Sequence, residues 1–198
     1  EREEMTKHNI DMNTARIESL SDNVFSVAMT ILVFNLTIPA GAKLSDMELH
    51  VLLMGQWHKF LNYFISFFLL AILWILHHQQ SHFIRRTDHL HLWINLLILM
   101  FVVLMPFSTS LTGDYGGTIT ASGFFSGNML ILAALFHVNW VYATGNNRLV
   151  SHDMTREFIR KGSLRSSVFL AVSLLAFGSA FFMPHWSSLT YLLIPLIH

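Results

Sequence analysis

The sequence predicts an all-α integral membrane bundle of about six transmembrane helices, a single domain over residues 1–198 that holds one six-helix repeat. Composition is the first reason: 53% of the residues are hydrophobic and 12% are charged, whereas a soluble domain carries about 25% charged residues. Clustering is the second, because the apolar residues fall into runs close to the ~20 residues that carry a helix across a hydrocarbon core. So few charges cannot clothe a water-facing surface, and lipid is the expected solvent.

Residues 1–13 are polar and of mixed charge, without the short apolar core and small-residue cleavage site of a signal peptide. The first helix is therefore expected to be retained, and the opening glutamate reads as a trimmed start. Apolar runs bounded by polar clusters place helices at residues 20–39, 60–79, 92–111, 119–143 and 167–183. Residues 186–198 read as a sixth, short for a full span, either tilted and partly interfacial or ending early. Pro39, Gly41, the pair Gly116 and Gly117, and Pro184 break helices in the connections.

Orientation follows from the basic residues, which are retained on the cytoplasmic side. The connection between helices two and three holds Arg85 and Arg86, and that between four and five holds Arg148, Arg156, Arg160, Lys161 and Arg165. The opposite connections carry only Lys43 and Lys59, with Asp114 alone after helix three. Both termini are thus expected in the cytoplasm, with an even number of helices.

Several function classes are excluded or unsupported. The net charge is zero, which points to no nucleic acid or acidic partner, and the absence of cysteine removes disulfides, thiolate catalysis and cysteine-ligated metals. There is no Walker-type phosphate loop and no Thr-Val-Gly-Tyr-Gly filter. The run Arg156, Arg160, Lys161, Arg165 lacks the every-third-residue repeat of a voltage sensor and reads as a solvated, positive-inside anchor.

The first helix differs from the others. It carries Ser21, Asp22, Asn23, Ser26, Thr30, Asn35 and Thr37 among apolar residues, which is costly if lipid surrounds it, so it should face protein or water. Val27, Ile31 and Phe34 share one stripe at helical spacing, with Thr30 beside it. Spacing alone leaves two readings open: a packing face with Thr30 bonded to its own backbone, or the lining of a water-filled path. Arg16 and Asp22 lie on different faces, so their partners should come from other helices. Helix two ends in Trp74, His77 and His78, followed by His82. His78 and His82 share a face and could hold a metal, but without a third ligand a hydrogen-bonded interfacial role is favoured and no metal site is assigned. His89 and His91 are placed in a separate loop, and Asn95 near the start of helix three.

Three segments then resemble the transmembrane protein 175 family, the endolysosomal potassium channels and their bacterial single-repeat relatives. The family motif Arg-x-x-x-Phe-Ser-Asp on the first helix is matched by Arg16, Leu20, Ser21 and Asp22, followed by Asn23-Val24-Phe25-Ser26-Val27-Ala28-Met29-Thr30, with Leu20 in place of phenylalanine and Asn23 in place of glycine. The second segment begins Phe64-Ile65-Ser66-Phe67 and ends Trp74-Ile75-Leu76-His77-His78. The third is Leu92-Trp93-Ile94-Asn95 with Pro106-Phe107-Ser108-Thr109. The resemblance covers the first three helices in order; helices four to six agree in hydrophobicity and spacing.

The resemblance implies a potassium-selective, leak-type channel subunit, not an enzyme, with no cofactor beyond the permeating potassium ions. Its partners would be the lipid bilayer and further copies of the chain, most simply a homotetramer, in a prokaryotic cell membrane. It implies that Val27, Thr30, Ile31 and Phe34 line the pore, as an apolar constriction beside a threonine ring whose hydroxyls meet the ion. Arg16, Ser21, Asp22, Trp74, His77, His78 and Asn95 would form a structural polar network. Two alternatives stand beside it: a proton-coupled secondary transporter relaying protons through Asp22 and the histidines, and a membrane enzyme with a metal at the histidine-rich end of helix two.

Overall fold

The computed structural model describes residues 14–38, 44–151, 154–184, 187 and 189–191. They form seven α-helices: α1 (Thr14–Ile31), α2 (Asp46–Gly55), α3 (Trp57–Phe83), α4 (His89–Val103), α5 (Met105–Asp114), α6 (Ile119–Thr144) and α7 (Arg156–Ala180). With the 3₁₀ turn Leu32–Asn35 continuing α1, and α4 and α5 running nearly end to end, five helical segments are long and apolar enough to cross a membrane. The expected sixth helix at residues 186–198 lies almost wholly outside the described residues, as do Pro39, Gly41 and Lys43.

α1 starts at Thr14, six residues earlier than expected, and three further features differ from the sequence reading. A short helix, α2, precedes the second span; it starts at a capping box in which Ser45 accepts from the Glu48 backbone while the Glu48 carboxylate accepts from Ser45. The third expected span is broken at Leu104, because Pro106 has no N–H to donate and its ring crowds the carbonyl one turn back. The fifth starts at Arg156, eleven residues earlier than expected, so the basic residues Arg156, Arg160, Lys161 and Arg165 stand on helix, not loop. Hydropathy marks where a helix enters hydrocarbon, not where its hydrogen bonding begins.

The core forms where these helices turn their apolar stripes inward. From α1 it takes Phe25, Ala28 and Leu32, from α3 Leu69, Leu70 and Leu73, from α4 Ile98 and Val102, from α6 Met129, Leu132 and Phe136, and from α7 Phe169 and Ala176. The tightest pairing is α6 on α7, where Gly162 lets the Trp140 ring lie against the α7 backbone; a side-chain carbon at residue 162 would overlap that ring. At the basic end, the α3–α4 and α6–α7 connections are laced together. Ile84 bridges Val150 in antiparallel fashion, the Arg85 N–H donates to the Leu149 carbonyl at 2.9 Å, and Asn146 and Asn147 make the reversal in the left-handed region that asparagine tolerates.

Candidate functional site

α1 is the least covered span. Only 22% of its apolar window is buried in the subunit, against 33% to 50% for the other four. Its buried stripe is Ser21, Phe25, Ala28 and Leu32. The opposite side presents Arg16, Leu20, Asn23, Val27, Thr30, Ile31 and Phe34, all exposed, and Phe34 is 72% exposed. The 3₁₀ turn that ends the helix matters here, since side chains three apart eclipse in that geometry and Phe34 stays in line with Ile31. The Thr30 hydroxyl donates to the Val27 carbonyl at 2.8 Å, so its hydrogen turns inward and its oxygen lone pairs remain free on the exposed face. Beyond the turn, the Asn35 side-chain amide donates to the Pro106 carbonyl at 3.1 Å, fixing the end of α1 to the α4–α5 break.

The seven residues expected in a polar network fall into two groups and two outliers. In the first group the Trp74 indole N–H donates to the Asp22 carboxylate at 2.8 Å, tying α3 to α1. The Trp74 ring stacks on His78, with centroids 5.7 Å apart, and the His78 Nδ1 lies 3.5 Å from the Glu18 carboxylate, one turn before Asp22. The second group is buried: His77 Nε2 meets the Asn95 Oδ1 at 3.1 Å, the Asn95 amide donates to the His91 carbonyl at 2.9 Å and lies 3.1 Å from His91 Nε2, and His91 Nδ1 meets the Thr87 hydroxyl at 2.8 Å. Ser21 is buried, and its one hydrogen bond among the described residues goes to the Ile17 carbonyl of its own helix. Arg16 has no hydrogen bond or ion pair among the described residues.

Glu18, His91 and Thr87 complete these contacts although sequence reasoning did not select them. His91 belongs to the first turn of α4, not to a separate loop; Asp88 caps that turn, accepting from the His91 N–H at 2.9 Å. The signal was present, an acidic cap followed by an apolar run, with His91 one turn before Asn95. Asp88 also accepts from the Tyr142 hydroxyl at 2.7 Å and from Arg148 at 3.1 Å. Burial would push its carboxyl up, but these three donors and the Arg148 charge outweigh it and hold the carboxyl below its ordinary value. Among the described residues no group of three or more histidine and acidic side chains could hold a metal, and His82 meets the Phe83 ring rather than a second ligand.

Both the sequence and the fold match known proteins. Residues 16–106 match the family described as endosomal/lysosomal potassium channel TMEM175. A potassium channel of Chamaesiphon minutus is 32% identical over 146 residues, 72% of each chain, and one of Streptomyces collinus is 29% identical over 140 residues, 69% of this chain and 67% of that one. The crystal structure of a lysosomal potassium-selective channel TMEM175 homolog from Chamaesiphon minutus superposes with a TM-score of 0.81 at 27% identity, covering 92% of this chain and 95% of the other.

Proposed function

We propose that this chain, which belongs to the TMEM175 family, is one subunit of a potassium-selective leak channel whose pore is lined by α1. The family is one of ion channels and not of enzymes, and passive conduction needs no cofactor. The observation that carries the pore assignment is the face of α1 itself: exposed in the subunit, it mixes Arg16, Asn23 and Thr30 with Val27, Ile31 and Phe34. Lipid would tolerate the apolar members but not the polar ones. Water and other copies of α1 suit both.

Around a four-fold axis, Val27, Ile31 and Phe34 would form apolar rings narrow enough to dewet, and Thr30 would offer four oxygens beside them. Potassium sheds water at lower cost than sodium, so an apolar constriction with a sparse oxygen ring favours it. Arg16 would take its partner from a neighbouring subunit, while Asp22, Trp74 and His78 hold α1 against α3. The end carrying Arg85, Arg86, Arg148 and α7's first turns would face the cytoplasm.

The test is flux from liposomes loaded with potassium, with and without a potassium ionophore. Passive flux that prefers potassium to sodium is expected, and Val27→Ala or Ile31→Ala should raise it by widening the constriction. Flux that saturates and reverses with an imposed proton gradient would instead establish the proton-coupled transporter.

A further inference from the structure

The geometry points to a binding site for the phosphate headgroup of an anionic phospholipid in the cleft between the basic ends of α3 and α7. The cleft has a volume of about 500 Å³, and its cationic side chains are Lys161 and Arg165, one turn apart on α7; His78 and His82, one turn apart on α3, line it as well. No carboxylate is among the described residues that line it. Its floor is apolar, built from Leu76, Trp140 and the Phe83–Phe158 pair, whose rings lie 4.5 Å apart. The site thus joins a cationic rim to a greasy floor, the two halves of a lipid rather than of a free ion.

Both cations of α7 are available. Among the described residues Arg165 meets the neutral Gln79 oxygen, at 3.4 Å, and most of its five donors have no protein acceptor there. Lys161 pairs with Glu157 at 2.8 Å, but both side chains are about two-thirds exposed, where such a pair contributes little and exchanges readily. Guanidinium and ammonium groups side by side match the oxygens of one phosphate. The depth is also right. These residues stand where α3 and α7 leave the apolar part of their spans, at headgroup level, and below Gln79 and His82 the same face of α3 continues as exposed Ile75 and Phe68, a track for an acyl chain. Basic pockets between transmembrane helices on the cytoplasmic side recognise anionic headgroups by this combination. The site requires that this end face the cytoplasm, as proposed above, but not that α1 line the pore.

Native mass spectrometry of the full chain in detergent tests it, titrating phosphatidylglycerol against phosphatidylcholine with the same acyl chains. Wild-type protein should retain phosphatidylglycerol in preference. Lys161→Gln and Arg165→Gln should each weaken that retention about fivefold, from about 1 kcal/mol for each interfacial cation, and together multiply. Arg165→Lys should keep most of it. Arg160→Gln, which removes an equal charge from the same helix outside the cleft, should leave it unchanged. If the double variant does not fold, the two single variants decide. Equal retention of the two lipids, or an equal loss in Arg160→Gln, would overturn the site, the latter by assigning the effect to diffuse surface charge. Displacement of phosphatidylglycerol by inorganic phosphate alone would reassign the cleft to free anions. A flux assay failing for lack of a pore would not touch these outcomes.

Discussion

Thr30 sits where shape and chemistry can be separated. Its hydroxyl hydrogen is committed to the Val27 carbonyl, so only lone pairs face outward. Thr30→Val keeps the shape and removes the oxygen, and the reversal potential with potassium on one side and sodium on the other should move toward zero; Thr30→Ser should restore much of the preference. An unchanged potential in Thr30→Val would assign discrimination to the apolar rings. Asp22 and Trp74 separate in the same way. Trp74→Phe leaves the Asp22 carboxylate short of its indole donor. A hydrogen bond to a charged group contributes about 1.5–3 kcal/mol, and the exposure of this pair in the subunit reduces that to about 1 kcal/mol, read as a lower unfolding midpoint. Asp22 and Trp74 were legible as polar-network candidates because both lie in segments resembling the family, but their pairing was not. Glu18 was not, since nothing in spacing distinguishes a carboxylate one turn before Asp22 from a solvated one until α3 is laid beside it.

At the scale of elements, the helix pairs hold predictions that conduction does not enter. Trp140 lies against Gly162, and its indole N–H donates to the Ile159 carbonyl at 3.2 Å, so α6 and α7 meet backbone to ring. Gly162→Ala should lower stability by about 1–3 kcal/mol through overpacking, and Trp140→Phe should relieve part of it in the double variant. Sequence reading missed this contact because it took residues 144–166 as a connection. It missed α2 as well, because that helix, though apolar, is ten residues long, too short to read as a span, and none of its residues is buried; its local signal was Ser45 three before Glu48. The Asp88 clamp joins the α3–α4 connection to α6. Its carboxyl is held below the ordinary value, so it contributes stability that is complete above the unfolded value near pH 4 and lost as pH falls through the folded one. The unfolding temperature of wild-type protein should therefore drop more steeply below about pH 4 than that of Asp88→Asn. Parallel pH profiles would show that the clamp carries no linkage.

For the whole molecule, the membrane class, the spans and the family were legible because hydropathy and the motif of α1 are local signals. The family match ends at residue 106, at the break between α4 and α5, which is also where the quoted resemblance thins out. Assembly is different, since it is a property of surfaces that one chain leaves open. The absence of cysteine from this chain makes that surface measurable. If α1 from several copies surrounds one axis, a single Phe34→Cys places thiols of different subunits near one another. Mild oxidation should then yield disulfide-linked dimers in membranes, with Ile31→Cys behaving alike because the 3₁₀ turn aligns the two positions. Leu175→Cys is the comparison: that residue is 67% exposed on α7, and in the proposed assembly it faces lipid. It should stay free of disulfide-linked dimers at the same protein density. A disulfide can form only where the two α-carbons approach within about 7 Å, so random collision in the bilayer would label all three positions similarly. Cross-linking at Leu175 but not at Phe34 or Ile31 would put α7 at the interface and return the Val27, Ile31, Phe34 stripe to packing or lipid. Mass measurement of the unoxidised protein in detergent then fixes the number of copies, expected to be four; a strictly monomeric protein that still conducts would remove the central pore altogether.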